Sequence, residues 1–142
     1  MMIPYMIIII RGEKTMSSKL IDGSVLIVAH GSDVAGGHEY EDLKEFLSGA
    51  VGEDSVHICY LKSGPSVKDI IPELKTNKVF VMPFLLAKGH HFYEDIKNGE
   101  NSIIRILEAQ GFEVHFDDKG LLEYEDIKKA ILNIIFKSYR LS

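Results

Sequence analysis

Short apolar runs alternate with amphipathic stretches along most of the chain, and this alternation restricts its fold more than any other feature. The apolar runs predict strands at about 24–29, 55–61, 78–84 and 112–116. Strands that alternate with helical patterns form βαβ units. The sequence therefore predicts an α/β fold with an open parallel sheet of about four strands and helices on both faces.

The amphipathic stretches predict helices at about 38–49, 66–74, 101–110 and 123–136. Ser66 suits the N-cap of the second helix, and Pro72 should kink or split it. We expect the first helix to bury Tyr40, Leu43, Phe46 and Leu47. We expect the last helix to bury Tyr124, Ile127, Ala130, Ile131, Ile134 and Ile135.

Histidines follow the first and third predicted strands. His30 lies in the segment Ala-His-Gly-Ser, and His90 and His91 lie between Gly89 and a helical stretch. In a flavodoxin-like strand order of 2-1-3-4 these two strands are neighbours at the switch point, where ligands bind. We therefore expect both segments at one cleft. Two imidazoles in one crevice can bind a borderline divalent metal and can move protons.

Composition limits the classes of protein to which the chain can belong. Its 142 residues suit one domain, and the 46% apolar and 26% charged content is ordinary for a soluble protein. One cysteine excludes an internal disulfide and a thiolate metal cluster, and it is compatible with the cytoplasm. The net charge of −5 and the lack of a basic stripe argue against nucleic-acid binding and against binding to anionic membranes.

The chain begins with an apolar segment, residues 1–10, which has no positive leader and no small-residue cleavage site. A signal peptide is therefore not expected, and ten residues are too few to cross a bilayer. We interpret residues 1–20 as an extra strand or packed tail. In the alternative interpretation translation starts at Met16 and residues 1–15 are non-native. Residues 21–142 then form a single domain.

Several residues near the histidines allow other interpretations. The loop after His30 contains glycines but lacks both phosphate-binding fingerprints, and Asp33 would repel a phosphate. Because adjacent side chains usually point apart, His90 and His91 should not both bind one ion, and Gly89 would let the backbone approach a flat ligand. His38, His57 and His115 lack convergent partners and are interpreted as structural or surface residues. Glu94 and Asp95 are interpreted as residues that only favour the helix dipole.

The two motifs together resemble a known family. His30-Gly31-Ser32, with Ala-x-Gly-x-His-x-x-x-Asp-Ile from Ala87 to Ile96, is similar to the small class II tetrapyrrole chelatases, the short CbiX-type sirohydrochlorin chelatases. The resemblance covers most of residues 22–136 in element order. It implies that His30 is a metal ligand and the proton acceptor, and that His91 is the second ligand. It also places a loop against the macrocycle, formed by Leu86, Ala87, Lys88, Gly89 and His90.

The resemblance further implies a reaction, in which cobalt, or else nickel or iron, is inserted into sirohydrochlorin or a related tetrapyrrole. The metal is then a substrate, no permanent cofactor is needed, and a homodimer is expected. The macrocycle carries many carboxylates, so a chain of net charge −5 needs local donors. Lys62, Lys88 and the backbone N–H groups of the loop are the candidates.

The chain also departs from the family pattern. Asp33 stands where arginine is usual, Lys97 stands where proline is usual, and Leu61 and Gly64 stand where glutamates are frequent. A late Pro-Leu-Gly is present only as Lys-Gly-Leu at 119–121. The alternative is therefore a metal- or tetrapyrrole-binding protein of the same fold without turnover. A third class, a small-molecule or phosphate-binding flavodoxin-like module, lacks the glycine fingerprints it would need.

Overall fold

A computed structural model describes residues 21–31 and 38–139. Within these residues four strands form one sheet in the order β2-β1-β3-β4, and every neighbouring pair is parallel. The strands are β1 Ser24–Ala29, β2 Val56–Tyr60, β3 Lys78–Pro83 and β4 Glu113–Phe116. The predicted parallel α/β fold and its strand order are confirmed. The N-terminal extension and the alternative start at Met16 lie outside the described residues.

The helices follow the predicted order. They are α1 Glu39–Val51, α2 Val67–Ile70, α3 Ile103–Ala109 and α4 Glu125–Ser138, with a π-helix at Phe92–Asn98 and 3₁₀ turns at Ile71–Glu73 and Leu121–Glu123. Ser66 caps α2 through a reciprocal pair of hydrogen bonds with Asp69. The helix ends at Ile70 and a 3₁₀ turn containing Pro72 takes over, so the predicted split is confirmed.

Helices cover both faces of the sheet. On one face Leu26, Val28, Val79 and Val81 are fully buried beneath α2, the π-helix and α3. On the other face β1 and β2 pack against α1 through Tyr40, Leu43 and Leu47.

The prediction for Phe46 is wrong, because its side chain is 65% exposed. Each residue turns a helix by about 100°, and Phe46 is the residue next to Leu47. Its side chain therefore lies outside the buried stripe formed by Tyr40, Leu43 and Leu47.

The predicted burial of α4 is also wrong. Ile131, Ile134 and Ile135 are 42%, 60% and 50% exposed, and none of the helix residues is buried. The 3₁₀ turn Leu121–Glu123 is the element that α4 mainly contacts. A helical pattern identifies which side is apolar but not what covers it. No helix among the described residues is both long and apolar enough to cross a membrane.

The carboxyl end of β1 is held from both sides. The Leu61 and Lys62 N–H groups donate to the carbonyls of Ala29 and His30 at 2.9 and 2.8 Å, and the Phe84 N–H donates to the carbonyl of Val28 at 2.7 Å. The end of the central strand is therefore fixed between the segments that follow β2 and β3. His30, the first residue after β1, emerges at this edge of the sheet.

Candidate metal centre

His30 begins the loop after a fully buried strand end. Ala29 is 0% exposed, while the His30 side chain is exposed. The Nδ1 atom of His30 lies 2.9 Å from the carbonyl oxygen of Gly31. Because a carbonyl oxygen can only accept a hydrogen bond, this nitrogen carries the proton in the neutral ring. The Nε2 atom then presents a lone pair, which can bind a metal or accept a proton.

Gly31 makes this arrangement possible. Its φ of +80° lies in the left-handed region, which favours glycine. A Cβ atom at this position would lie 2.6 Å from the Ser63 Oγ and 3.0 Å from the Tyr60 Cβ. A side chain here would be strained and would displace the loop after β2. The glycine therefore holds the hydrogen-bond acceptor for His30 in place.

His91 precedes the π-helix and is oriented by a residue within it. Its Nδ1 atom lies 2.6 Å from the Oδ2 atom of Asp95, and both side chains are partly buried. The carboxylate accepts the Nδ1 proton, so the Nε2 atom of His91 also presents a lone pair. The expectation that Asp95 serves only the helix dipole is wrong. The spacing of four residues between His91 and Asp95 was the signal that could have revealed its role.

The two imidazoles lie together. The ring centroids of His30 and His91 are 5.0 Å apart, with an angle of 74° between the ring planes. With metal–nitrogen bonds of ~2.1 Å and each nitrogen roughly 1.1 Å from its ring centre, two imidazoles on one ion have centroids roughly 4.5–5.2 Å apart. The observed separation therefore fits one ion held between the two rings.

This pair would be an open site. Among the described residues no group of three or more His, Cys, Asp or Glu side chains could hold a metal ion. Two protein ligands leave most coordination positions of a metal free for water or for nitrogen atoms of a substrate. Such a site suits an ion that is passed on better than an ion that is stored.

His90 is exposed, and its ring centroid lies 5.8 Å from that of His91. His91 is the ring that faces His30. The structure thus brings together the two histidines that the resemblance singles out. The other histidines lie elsewhere: His57 and His115 are in β2 and β4, as expected, and His38 is exposed before α1.

The loop of residues 86–90 borders the two histidines and is supported from the C-terminal part of the chain. The N–H groups of Leu121 and Leu122 donate to the carbonyls of Leu85 and Leu86 at 2.8 and 3.0 Å. A Cβ atom on Gly120 would lie 2.8 Å from the Leu86 carbonyl oxygen, so only glycine fits there. The Lys-Gly-Leu segment is thus the support of this loop.

The loop offers an apolar and open surface. The Leu86 side chain is 64% exposed, and Ala87, Gly89 and His90 are exposed. Apart from Gly89 and its two chain neighbours, no described residue has an atom within 4 Å of the position that a Cβ on Gly89 would occupy. These features leave room for a flat ligand to approach the backbone closely.

Lys88 is half-buried and engaged within the protein. Its Nζ atom donates to the carbonyl oxygen of Asp118 at 3.2 Å and lies 3.4 Å from the Glu123 Oε1. The Gly120 N–H donates to Glu123 and lowers the pKa of that carboxyl, and Lys88 adds to the effect. The charge of Lys88 is therefore largely compensated. Lys62, the other lysine expected near the substrate, is exposed.

The fold and the paired histidines define a parallel α/β protein with two facing imidazoles, a candidate metal centre, at the switch point of its sheet. The sequence matches the model of the cobalt chelatase (CbiK) family over residues 4–139, and the chain belongs to this family of metal chelatases, which are lyases.

Among solved structures, a protein described as a CbiX protein of cobalamin (vitamin B12) biosynthesis from Marinobacter aquaeolei VT8 is similar, with a TM-score of 0.64. The two sequences are 22% identical, and the match covers 83% of this chain and 95% of that chain. At this identity the similarity shows the shared fold. A search of curated proteins finds no match.

Proposed function

We propose that the protein inserts cobalt into sirohydrochlorin or a closely related tetrapyrrole. The observation that carries this proposal is the His30–His91 pair, with centroids 5.0 Å apart and both Nδ1 atoms bound to oxygen acceptors. In each neutral ring the Nε2 atom therefore carries the lone pair. Imidazoles accept cobalt, nickel and iron, so the choice of cobalt rests on the family description.

The reaction exchanges two pyrrole protons for one divalent cation, which is a substrate rather than a resident cofactor. His30 and His91 hold the ion at one face of the macrocycle. One imidazole nitrogen cannot bind a metal and accept a proton at the same moment. The ion therefore leaves His30 first, the freed Nε2 atom then accepts one pyrrole proton, and the second pyrrole proton passes to solvent water.

Asp95 supports this step through His91. A carboxylate behind a metal-bound imidazole fixes the orientation of the ring and raises its basicity as a ligand. His30 has only the Gly31 carbonyl oxygen behind it, which is neutral. His91 should therefore bind the metal more strongly than His30. This asymmetry lets His30 release the ion and take the proton while His91 keeps the ion in place.

The macrocycle would lie against residues 86–90, where Leu86 offers an exposed apolar side chain and Gly89 leaves open space. Such a loop covers one side of a large flat ligand. The opposite wall would come from a second copy of the chain, so we propose a homodimer working in the cytoplasm. The exposed apolar side of α4, which includes Ile134 and Ile135, is the surface that supports a second copy.

A second candidate is a protein that binds metal or tetrapyrrole without turnover. The absence of glutamates at Leu61 and Gly64, two positions where the family frequently has them, favours this candidate. Leu61 packs against the core beneath α2, and Gly64 is exposed without a side chain. No carboxylate at these two positions can assist delivery of the metal.

Steady-state metallation separates the two candidates. Sirohydrochlorin in tenfold molar excess is mixed anaerobically with enzyme and Co²⁺, and the absorbance change is followed against a protein-free control. We expect many equivalents of cobalt-sirohydrochlorin per protein. One equivalent or less would support the binding protein. Parallel reactions with Ni²⁺ and Fe²⁺ rank the metals.

A further inference from the structure

A cavity of about 220 Å³ lies beside the metal centre, between the segment after β2 and the segment that follows the π-helix. We call it the Lys62 cavity, and the residues that matter here are Leu61, Lys62, Ser66, Asp95, Asn101 and Ile103. Asp95 belongs both to this cavity and to the hydrogen bond with His91. The cavity therefore adjoins the place where the macrocycle would be metallated.

Lys62 is the cation that this cavity offers. Its backbone N–H donates to the His30 carbonyl at 2.8 Å, which fixes the residue next to the metal centre. Within the part of the chain that the structure describes, its Nζ atom has no hydrogen-bond or ion-pair partner. Lys97, by contrast, is paired with Asp118 at 2.7 Å, and Lys88 is held by Asp118 and Glu123.

The other polar groups of the cavity differ in their availability. The Ser66 hydroxyl is occupied by Asp69 in the N-cap of α2, and the Asp95 Oδ2 atom accepts from His91. The exposed Asn101 side-chain amide has no partner among the described residues and can donate two hydrogen bonds. The free donors therefore come from Lys62 and Asn101.

The cavity suits a carboxylate on a short alkyl chain. Leu61 and Ile103 provide apolar walls for methylene groups, and Lys62 and Asn101 provide donors for the acid. The Asp95 carboxylate repels the carboxylate of the ligand, so the ligand acid must lie at the Lys62 side of the cavity. A charge-assisted hydrogen bond is roughly twice as strong as a neutral one. Lys62 should therefore contribute more than Asn101.

We infer that the Lys62 cavity seats one carboxylate side chain of the tetrapyrrole, and that Lys62 determines specificity for carboxylated macrocycles. This inference rests on the proposed function. It also distinguishes the two lysines that the sequence offered, because Lys88 is already engaged.

The test is metal-free binding of sirohydrochlorin, measured by fluorescence quenching. Lys62→Met should weaken binding about tenfold or more, and Asn101→Leu about two- to tenfold. Lys68→Met, which removes an exposed lysine of α2 outside the cavity, should bind like the wild type. Circular dichroism and thermal unfolding check that each variant is folded.

A second ligand makes the test specific. With the methyl ester of sirohydrochlorin, which has no free carboxylate, Lys62→Met and the wild type should bind equally. If the wild type binds sirohydrochlorin and Lys62→Met binds it equally well, the inference is overturned while the proposed function stands. An equal loss for Lys68→Met would also overturn it, because surface charge alone would then explain the effect. If the wild type binds no sirohydrochlorin, the proposed function fails as well.

Discussion

The Nδ1 atom of His91 lies 2.6 Å from the Oδ2 atom of Asp95, four residues further along the chain. The hydrogen bond fixes which nitrogen of His91 carries the proton and leaves the lone pair on the Nε2 atom. His30 reaches the same state through the Gly31 carbonyl, at 2.9 Å. The two rings thus lie together at one edge of the sheet, and among the described residues no group of three or more His, Cys, Asp or Glu side chains could hold a metal ion.

Asp95→Ala should lower the affinity for Co²⁺ about 10–100-fold, because carboxylates that orient a metal-bound histidine have effects of this size. Asp95→Asn should lie between this variant and the wild type, since its amide oxygen can still accept the Nδ1 proton. Isothermal titration calorimetry measures the three affinities. The control is Glu100→Ala, which removes an equal charge from an exposed position nearby. A similar loss of Co²⁺ affinity in Glu100→Ala would mean that the net charge of the protein, and not the hydrogen bond to His91, explains the effect of Asp95→Ala.

His91→Ala should weaken binding of Co²⁺ and Ni²⁺ much more than His90→Ala. The His91 ring faces His30 at 5.0 Å and is oriented by Asp95, whereas His90 is an exposed residue of the loop. The two variants remove the same group from neighbouring positions and so control for each other. Titration of each with both metals gives the comparison. Equal losses would mean that His90 is also a ligand.

The parallel sheet and the shared edge could be predicted, because strand alternation and βαβ connections are local properties of the sequence. The split of α2 at Pro72 and the N-cap at Ser66 follow from single residues for the same reason. The four-residue spacing marked Asp95 as a possible partner of His91, but the hydrogen bond between them could not be predicted. It depends on the orientation of two side chains at the start of a π-helix, which composition and periodicity do not report.

The state of the lysines and of α4 depends on distant contacts. The Lys88 ammonium donates to the Asp118 backbone carbonyl and pairs with the Glu123 carboxylate, and both residues lie thirty or more positions away in sequence. The pattern of α4 showed an apolar side correctly, but its exposure could be learned only from the packing of the other elements.

Ile134→Glu and Ile135→Glu should each abolish the proposed homodimer. These side chains are 60% and 50% exposed in the single chain, and a carboxylate buried at an apolar interface is costly. Sedimentation velocity of wild type and variants measures the oligomeric state. Lys129→Glu changes an exposed charged residue of the same helix and should leave the dimer intact. A wild type that stays monomeric at micromolar concentration would contradict the proposed assembly.

The stability of the protein should fall as the pH decreases below about 6.5, and His57 should account for part of the loss. Burial lowers the pKa of His57 from its ordinary value of 6.5, and Lys44 adds to this, against opposing effects of the Asp54 carbonyl and the Glu73 carboxylate. The unfolded chain therefore binds the proton more readily than the folded protein. The stabilisation is present above the unfolded pKa and is lost toward the lower folded pKa.

Urea unfolding between pH 8 and pH 5 measures this dependence. His57→Gln should show a smaller slope of unfolding free energy against pH than the wild type, whatever its absolute stability. Identical slopes for His57→Gln and the wild type would show that His57 does not contribute.

The central claim is that His30 accepts the pyrrole proton at a metal centre shared with His91. Its most direct test is the single-turnover rate of cobalt insertion into bound sirohydrochlorin, followed by absorbance for wild type, His30→Ala and the control His38→Ala. His38 is an exposed histidine whose side chain makes no capping hydrogen bond. Thermal unfolding and metal-free sirohydrochlorin binding are measured on the same samples.

We expect His30→Ala to bind sirohydrochlorin and to unfold as the wild type does, because His30 is an exposed loop residue outside the core. Its rate of insertion should fall about 10²–10⁴-fold, the usual contribution of a general base, while His38→Ala keeps the wild-type rate. Insertion by His30→Ala at the wild-type rate would contradict the account.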